Sequence, residues 1–403
     1  MKAIMYGAGN IGRGFMGALL SQSGYEVTFI DVAEKVVDIL HTKHEYPVRI
    51  VSNSGHEDIV IKNVDAINGN NMQAVESAIA KADIMATAVG VNILKFIVPN
   101  IVAGLRKRFS ESDRPLNIII CENLMDANKV LEKMLKEQLT KAECALFDVR
   151  VGLVEASIGK MVPVQTPDMQ DGDPLRVCVE RYGFLPVDKD AFVGDVPKVR
   201  SMIPFSPFDF YIKRKLYVHN MGHATCAYLG LYTGLEYISE SIDDADTCLI
   251  VQNAMCESAL ALSKKYGVAV EDIMKHIQDL LMRFTNKALK DTCKRVGGDP
   301  KRKLSPADRL IGSSSLCLEQ GITPAFICVG VAGAVYEFLK EEGSELTENN
   351  ALRVLGDVSK LDAHCELVGM ILPLYRLYTK GSTIAELRRA AETLRSSKLV
   401  GIV

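Results

Sequence analysis

The stretch Lys215-Leu-Tyr-Val-His-Asn-Met-Gly-His223 carries an amine, an amide and an imidazole within nine residues. On an α-helix, at ~100° per residue, His223 and Asn220 lie roughly 80° and 140° around from Lys215, so the three groups share one face. An amine can take a proton, an amide can hold an oxygen, and an imidazole can orient a hydroxyl. Together they supply what reversible oxidation of an alcohol needs without a metal. The same stretch also fits an amphipathic surface helix with solvated basic residues, so the rest of the chain must decide.

The start of the chain favours chemistry. Residues 2 to 6 form a short apolar strand that runs into Gly7-Ala8-Gly9-Asn10-Ile11-Gly12-Arg13-Gly14, after which Phe15, Met16, Leu19 and Leu20 follow helical spacing. This is GxGxxG between a strand and a helix: Gly7 for the tight turn, Gly9 for close approach to a pyrophosphate, Gly12 for packing, with the helix N-terminus facing the phosphates. A second strand, Val27 to Ile30, ends at Asp31, 19 residues past Gly12. A carboxylate there binds the adenosine ribose 2′-hydroxyl and repels a 2′-phosphate, which favours NAD over NADP; a helix N-cap is the alternative role for Asp31.

Further strands are expected at Ile84 to Thr87, Asn117 to Ile120 and Ala145 to Val149, separated by helical stretches at 71 to 81, 92 to 108 and 124 to 140. This alternation predicts a doubly wound parallel sheet of the Rossmann type over residues 1–200. Thr87-Ala-Val-Gly90 and Cys121-Glu-Asn123 fall at carboxyl ends of strands, where such sheets bind ligands. Thr87, Val89 and Asn123 are therefore candidates for the nicotinamide side, with capping of the following helix as a second role for Asn123. Residues 150 to 200 are less regular, and Leu175 to Val179 is a possible extension of the sheet.

From Ser206 onward the pattern is helical. Ser305-Pro306 and Thr323-Pro324 read as capped helix starts, and amphipathic segments fit 234 to 265, 305 to 319, 323 to 340, 361 to 379 and 383 to 396. Residues 201–403 should form an all-α substrate-binding domain. The whole is then an α/β protein with 48% hydrophobic residues in 403, enough to fill two cores. A formal charge of -3 gives no reason to expect nucleic acid or an anionic membrane as partner. The apolar run Pro324 to Tyr336 is too short to span a bilayer, and Met1-Lys-Ala-Ile4 opens a strand without a signal-peptide layout, so the cytoplasm is expected. Ten cysteines occur singly with no CxxC pair, which points to reduced thiols.

Lys215-x4-Asn220-x2-His223, Asn123 in Cys-Glu-Asn and the N-terminal Gly-Ala-Gly-Asn-Ile-Gly-Arg-Gly together resemble the polyol-specific long-chain dehydrogenase/reductase family, also called the mannitol dehydrogenase family. Thr87-Ala-Val-Gly90, Gly222-His223-Ala-x-x-Ala227-Tyr-Leu-Gly230 and Arg295-Val-Gly-x-x-Pro300-x-Arg302-Lys-Leu-Ser305-x-x-Asp308-Arg-Leu310 carry the likeness nearly to the C-terminus. The resemblance implies an NAD-dependent, metal-independent oxidoreductase that interconverts D-mannitol 1-phosphate and D-fructose 6-phosphate. It implies Lys215 as general base in oxidation and general acid in reduction, Asn123 and Asn220 as holders of the reacting oxygen, and His223 as the residue that orients the substrate. A lysine with an ordinary pKa of ~10.4 must be depressed for that task, with Lys213 and Arg214 as possible helpers.

Two other patterns overlap the same stretch. Tyr211-x3-Lys215 has the spacing of the short-chain dehydrogenase pair, and His219-x3-His223 that of a helical metal pair, though Asn220 stands where a zincin carries its glutamate. Arg295, Lys301, Arg302 and Lys303 are candidates for a substrate phosphate, since forked guanidinium donors match phosphate oxygens; a solvated loop is the alternative. The chain departs from the family pattern at Gly159-Lys160, where an acidic–basic pair is usual, and at Gly298, where sugar-phosphate members carry arginine. Fewer guanidinium groups leave an unphosphorylated polyol or a keto-hexuronate open as substrate. A non-catalytic NAD(H)-sensing protein is the alternative of another class. No coiled-coil seam argues for association, and a monomer is expected.

Overall fold

The computed structural model describes residues 1–124 and 126–400, with side chains to 396. The chain divides into two compact units, Met1–Asp209 and the part from Phe210 onward.

The strands of the first unit are β1 (Lys2–Tyr6), β2 (Glu26–Asp31), β3 (Glu45–Ser52), β4 (Gly55–Lys62), β5 (Val64–Asn68), β6 (Ile84–Thr87), β7 (Leu116–Ile120), β8 (Val151–Glu155), β9 (Val177–Val179), and the parallel pair β10 (Leu185–Asp188) and β11 (Met202–Phe205). Six form one parallel sheet in the order β5-β2-β1-β6-β7-β8. The order reverses at β1, so the crevice between the carboxyl ends of β1 and β6 is the place where such a sheet binds its ligand. Every residue of β6 and β7 is buried, which is why both read as unbroken apolar runs rather than alternating ones. The loops entering these strands are pinned by the buried Arg108 guanidinium, which donates to the carbonyls of Ala80, Ala82, Arg114 and Pro115.

Two sequence expectations for this unit need correction. Residues 145 to 149 are helical, within Lys141–Arg150, and the sixth strand begins only at Val151. The cause is a capping box: the Thr140 hydroxyl accepts the Glu143 N–H while the Glu143 carboxylate accepts that of Thr140, which starts a helix over a short apolar run of ambiguous period. Val177–Val179 does not extend the main sheet. It pairs in parallel with β3, in a separate three-stranded sheet completed by the antiparallel β3–β4 hairpin.

The part from Phe210 onward is helical, as expected. Its centre is Ala325–Glu342, buried on nearly all sides by Met221–Thr233, Ala245–Tyr266 and Glu366–Thr379. The segment 234 to 265 is broken: Gly234 ends one helix in a left-handed conformation, and Asp244 caps a new one through the Thr247 N–H. One expected helix start and one expected cap also fail. After Ser305-Pro306 the chain turns, and the helix begins at Ile311. Thr323 does not cap Ala325–Glu342 either; the carboxylate of Glu257, four per cent exposed, accepts the Phe326 and Ile327 N–H groups instead. Burial pushes the Glu257 carboxyl up to about 8 in spite of those hydrogen bonds. None of the ten cysteines is in a disulfide. Among the described residues no helix is long and apolar enough to cross a membrane.

Candidate functional site

In the first unit the glycine turn is held rigidly. Gly7 has φ +101°, and a Cβ on it would fall 2.6 Å from the Ala88 carbonyl oxygen; one on Gly12 would fall 1.9 Å from that of Gly7. Gly9 faces open space. Between the first two glycines, Ala8 is clamped on both sides. Its N–H donates to Asp31 Oδ2 at 2.6 Å, and its carbonyl accepts from Arg13 Nε at 2.7 Å. Arg13 is buried and donates also to the Leu175 carbonyl, and burial draws its guanidinium below the usual value. The helix that follows opens with a π segment, Gly12–Gly17, before Ala18–Gln22. Asn10 donates to the Pro163 carbonyl at 3.3 Å, and Ile11 packs against the core.

Asp31 Oδ1 accepts the Ala33 N–H, while the next helix, Glu34–Lys43, starts after Ala33 without a side-chain cap. The N-cap role for Asp31 is thus not realised. A cavity of about 630 Å³ opens from Gly7, Gly9 and Asp31 toward Val32, Met72 and Phe96. These three apolar side chains are 63%, 52% and 65% exposed, which leaves an apolar slot for a flat heterocycle beside a carboxylate that can take ribose hydroxyls.

On the other side of β1, Val89 lines the same cavity, and Thr87 Oγ1 is enclosed with no hydrogen-bond partner. The turn they belong to is fixed by Glu122, a buried carboxylate that accepts the Val89 and Gly90 N–H groups at 3.0 and 2.9 Å. Asn123, the next residue, is exposed. It does not cap the following helix, Ala127–Lys136, whose N-cap is Asp126 and whose first N–H groups meet Glu155.

In the helical unit, Lys215–Asn220 is π-helical and continues into Met221–Thr233. A π turn closes i→i+5, which brings Asn220 further round toward Lys215 than the roughly 140° of α geometry. His223 follows within one turn. Its ring stacks on Phe284, with centroids 4.7 Å apart and planes at 14°, and its Nε2 lies 3.2 Å from Asp291 Oδ2 at an angle outside hydrogen-bond geometry. His219 is buried; burial first, then the charges of Arg283, His223, His276 and Lys215, hold it far below its ordinary pKa. Burial and the Arg214 and Arg283 charges bring His276 down to about 3. His219, which feels the Lys215 charge, is therefore a neutral imidazole.

Arg295 gives its Nε and Nη2 to Asp291 Oδ1 at 2.8 and 2.6 Å, and Arg302 gives Nε to Asp299 at 2.9 Å. Both guanidinium groups are thus already engaged by carboxylates. Lys303 is three per cent exposed, and burial, with Arg309 and Arg302, draws its amine down to about 8. Burial pushes the Tyr211 phenol up, the wrong direction for the acid/base tyrosine of a Tyr–Lys pair. His219 and His223 have ring centroids 6.0 Å apart, and among the described residues no three His, Cys, Asp or Glu side chains gather as metal ligands would.

Models of two domains match most of the chain: the mannitol dehydrogenase Rossmann domain over residues 1–201 and the mannitol dehydrogenase C-terminal domain over 208–363. The chain belongs to the mannitol dehydrogenase family. Among its family relatives is a protein of Brevibacillus brevis named mannitol-1-phosphate 5-dehydrogenase, 36% identical over 88% of this chain and 91% of that protein. A Thermoanaerobacter pseudethanolicus protein of the same name is 34% identical over 93% of this chain and 97% of its own. Two solved structures share the fold. D-sorbitol dehydrogenase in substrate-free form has a TM-score of 0.77 at 14% identity, covering 96% of this chain and 94% of its own. The Pseudomonas fluorescens mannitol 2-dehydrogenase complex with NAD and D-mannitol has a TM-score of 0.74 at 15% identity, covering 96% and 93%.

At the positions where this member of the mannitol dehydrogenase family departs from the expected pattern, Lys160 Nζ lies 5.3 Å over the Phe15 ring and Gly159 packs against Tyr182. Three residues that organise the sites, Arg13, Glu122 and Asp291, have no role in the sequence reading. Only Asp291 left a local signal: it stands four residues before Arg295, at the start of the helix Cys293–Gly297.

Proposed function

We propose that this protein is an NAD-dependent dehydrogenase that interconverts D-mannitol 1-phosphate and D-fructose 6-phosphate. The observation that carries the reading is the pair of relatives of that name, each more than a third identical across nearly the full length of both chains. The turn, the Asp31 carboxylate and the apolar slot suit an adenine dinucleotide with a free ribose 2′-hydroxyl, and residues 1–200 hold it. NAD, when bound, supplies the hydride acceptor for the alcohol or the hydride donor for the ketone.

The chain's own residues manage the proton and the oxygen. Lys215 takes the hydroxyl proton in oxidation and returns it in reduction, with the neutral His219 near it. Asn220, brought further round toward Lys215 by the π turn, and Asn123 hold the oxygen whose charge changes, and His223 orients the neighbouring hydroxyls. Lys303, with Arg295 and Arg302, receives the phosphate. No metal takes part, and the enzyme acts as a cytoplasmic monomer.

A second reading, the same chemistry on an unphosphorylated polyol or a keto-hexuronate, draws support from the carboxylates that occupy Arg295 and Arg302. Steady-state NADH oxidation with fructose 6-phosphate, fructose and tagaturonate separates the two. The phosphate ester should have the highest kcat/KM. Negligible turnover of it beside brisk turnover of either other substrate refutes the first reading; NADH binding with no turnover of any marks a sensor.

A further inference from the structure

His223 is boxed in. Phe284 covers one face of the ring, and Nε2 is enclosed, with the Asp291 carboxylate 3.2 Å away. Asp291 is itself held fast: its carbonyl accepts the Ile238 N–H at 2.9 Å, and two residues on the Cys293 N–H donates to the Glu236 carbonyl at 2.8 Å. Its side chain is nine per cent exposed, and its other oxygen receives the Arg295 fork through Nε and Nη2.

An ionised carboxylate 3.2 Å away repels a ring lone pair even outside hydrogen-bond geometry, so it favours the tautomer with the proton on the nitrogen that faces it, which leaves Nδ1 as an acceptor. Arg295, with two donors spent on Asp291, keeps the Nη1 edge of a half-exposed guanidinium for another oxyanion. Granting the polyol phosphate reading, we propose that Asp291 is a positioning residue that joins two recognition functions. It turns the His223 ring so that Nδ1 accepts from a substrate hydroxyl, and it aims Arg295 at the phosphate of the open-chain sugar phosphate. Burial alone would raise the Asp291 carboxyl, but His223 and Arg295 outweigh it and hold it below its ordinary value, in keeping with an ionised bridge.

The test is a cycle of Asp291→Asn, Arg295→Ala and the double variant in the full-length enzyme, with steady-state reduction of fructose 6-phosphate by NADH. Asp291→Asn should raise KM for fructose 6-phosphate about tenfold or more, the scale of a lost hydrogen bond to a charged group, with KM for NADH within about twofold. Because Arg295 depends on Asp291, the double variant should be no worse than the poorer single variant by more than about threefold. An unchanged or lower KM for the sugar phosphate, an equal rise for NADH, or penalties that multiply in the double variant would overturn the proposal.

A measurement on the native protein covers the case in which Asp291→Asn loses its cooperative melt. Long-range ¹⁵N–¹H correlation of the histidine rings, with His223 assigned by its loss in His223→Asn, should show Nε2 protonated. A ring protonated only at Nδ1 overturns the proposal. Wild-type enzyme inert toward all the sugars would instead remove the functional reading and leave this ring measurement standing by itself.

Discussion

Ala8 gives up both of its polar groups to side chains, the N–H to Asp31 and the carbonyl to Arg13, so the glycine turn keeps one shape before any nucleotide arrives. Asp31 therefore has two tasks that substitution can separate. Asp31→Asn retains an acceptor for the Ala8 N–H but removes the negative charge that repels a 2′-phosphate. The ratio of kcat/KM for NADH over NADPH should fall about tenfold or more in that variant, while NADH itself still binds. Asp31→Ala should lose NADH affinity as well, because the clamp is gone. An unaltered ratio in Asp31→Asn would leave Asp31 as a turn clamp alone. These roles were only half legible: the 19-residue step from Gly12 to Asp31 marks a ribose ligand, but nothing local says that the same carboxylate holds Ala8.

Among the elements, the two helices that carry the candidate chemistry both contain a π segment, Gly12–Gly17 near the start of one and Lys215–Asn220 between Asp209–Arg214 and Met221–Thr233 in the other. Lys215, Asn220 and His223 are on one helix, but the π turn over 215–220 replaces the ~100° step of α geometry, and a wider turn leaves no mark in residue type. The same limit explains the helix starts. Ser305-Pro306 and Thr323-Pro324 have the composition of caps, yet the buried Ala325–Glu342 is capped by a carboxylate 69 residues earlier in the chain. That cap makes stability pH-dependent. The Glu257 carboxyl sits at about 8 in the fold and at ~4.3 in the unfolded chain, so between those values the folded state keeps a proton that the unfolded state has released. Stability should fall as pH rises from about 5 to about 8 and level off above. Glu257→Gln should flatten this fall and melt higher than the native protein at about pH 8.5; parallel melting curves across that range would contradict the assignment.

For the molecule as a whole, the division of labour is between a unit that carries the glycine turn and one that carries the Lys–Asn–His helix. The alternation of strands and helices, and the wholly helical second half, were legible because turns, caps and periodicity act among neighbours in sequence. Glu122 and Asp291 were not, because they act over 33 and 68 residues of separation: Glu122 on Val89, Asp291 on His223. The β3–β4 hairpin escaped for another reason: the strand β4 is largely exposed and alternates weakly. The proposed chemistry rests on one amine. Lys215→Ala, assayed for NADH affinity by fluorescence and for turnover of fructose 6-phosphate, tests this directly. The account predicts nearly unchanged NADH affinity with turnover cut by ~10²-fold or more; near-native turnover would contradict it.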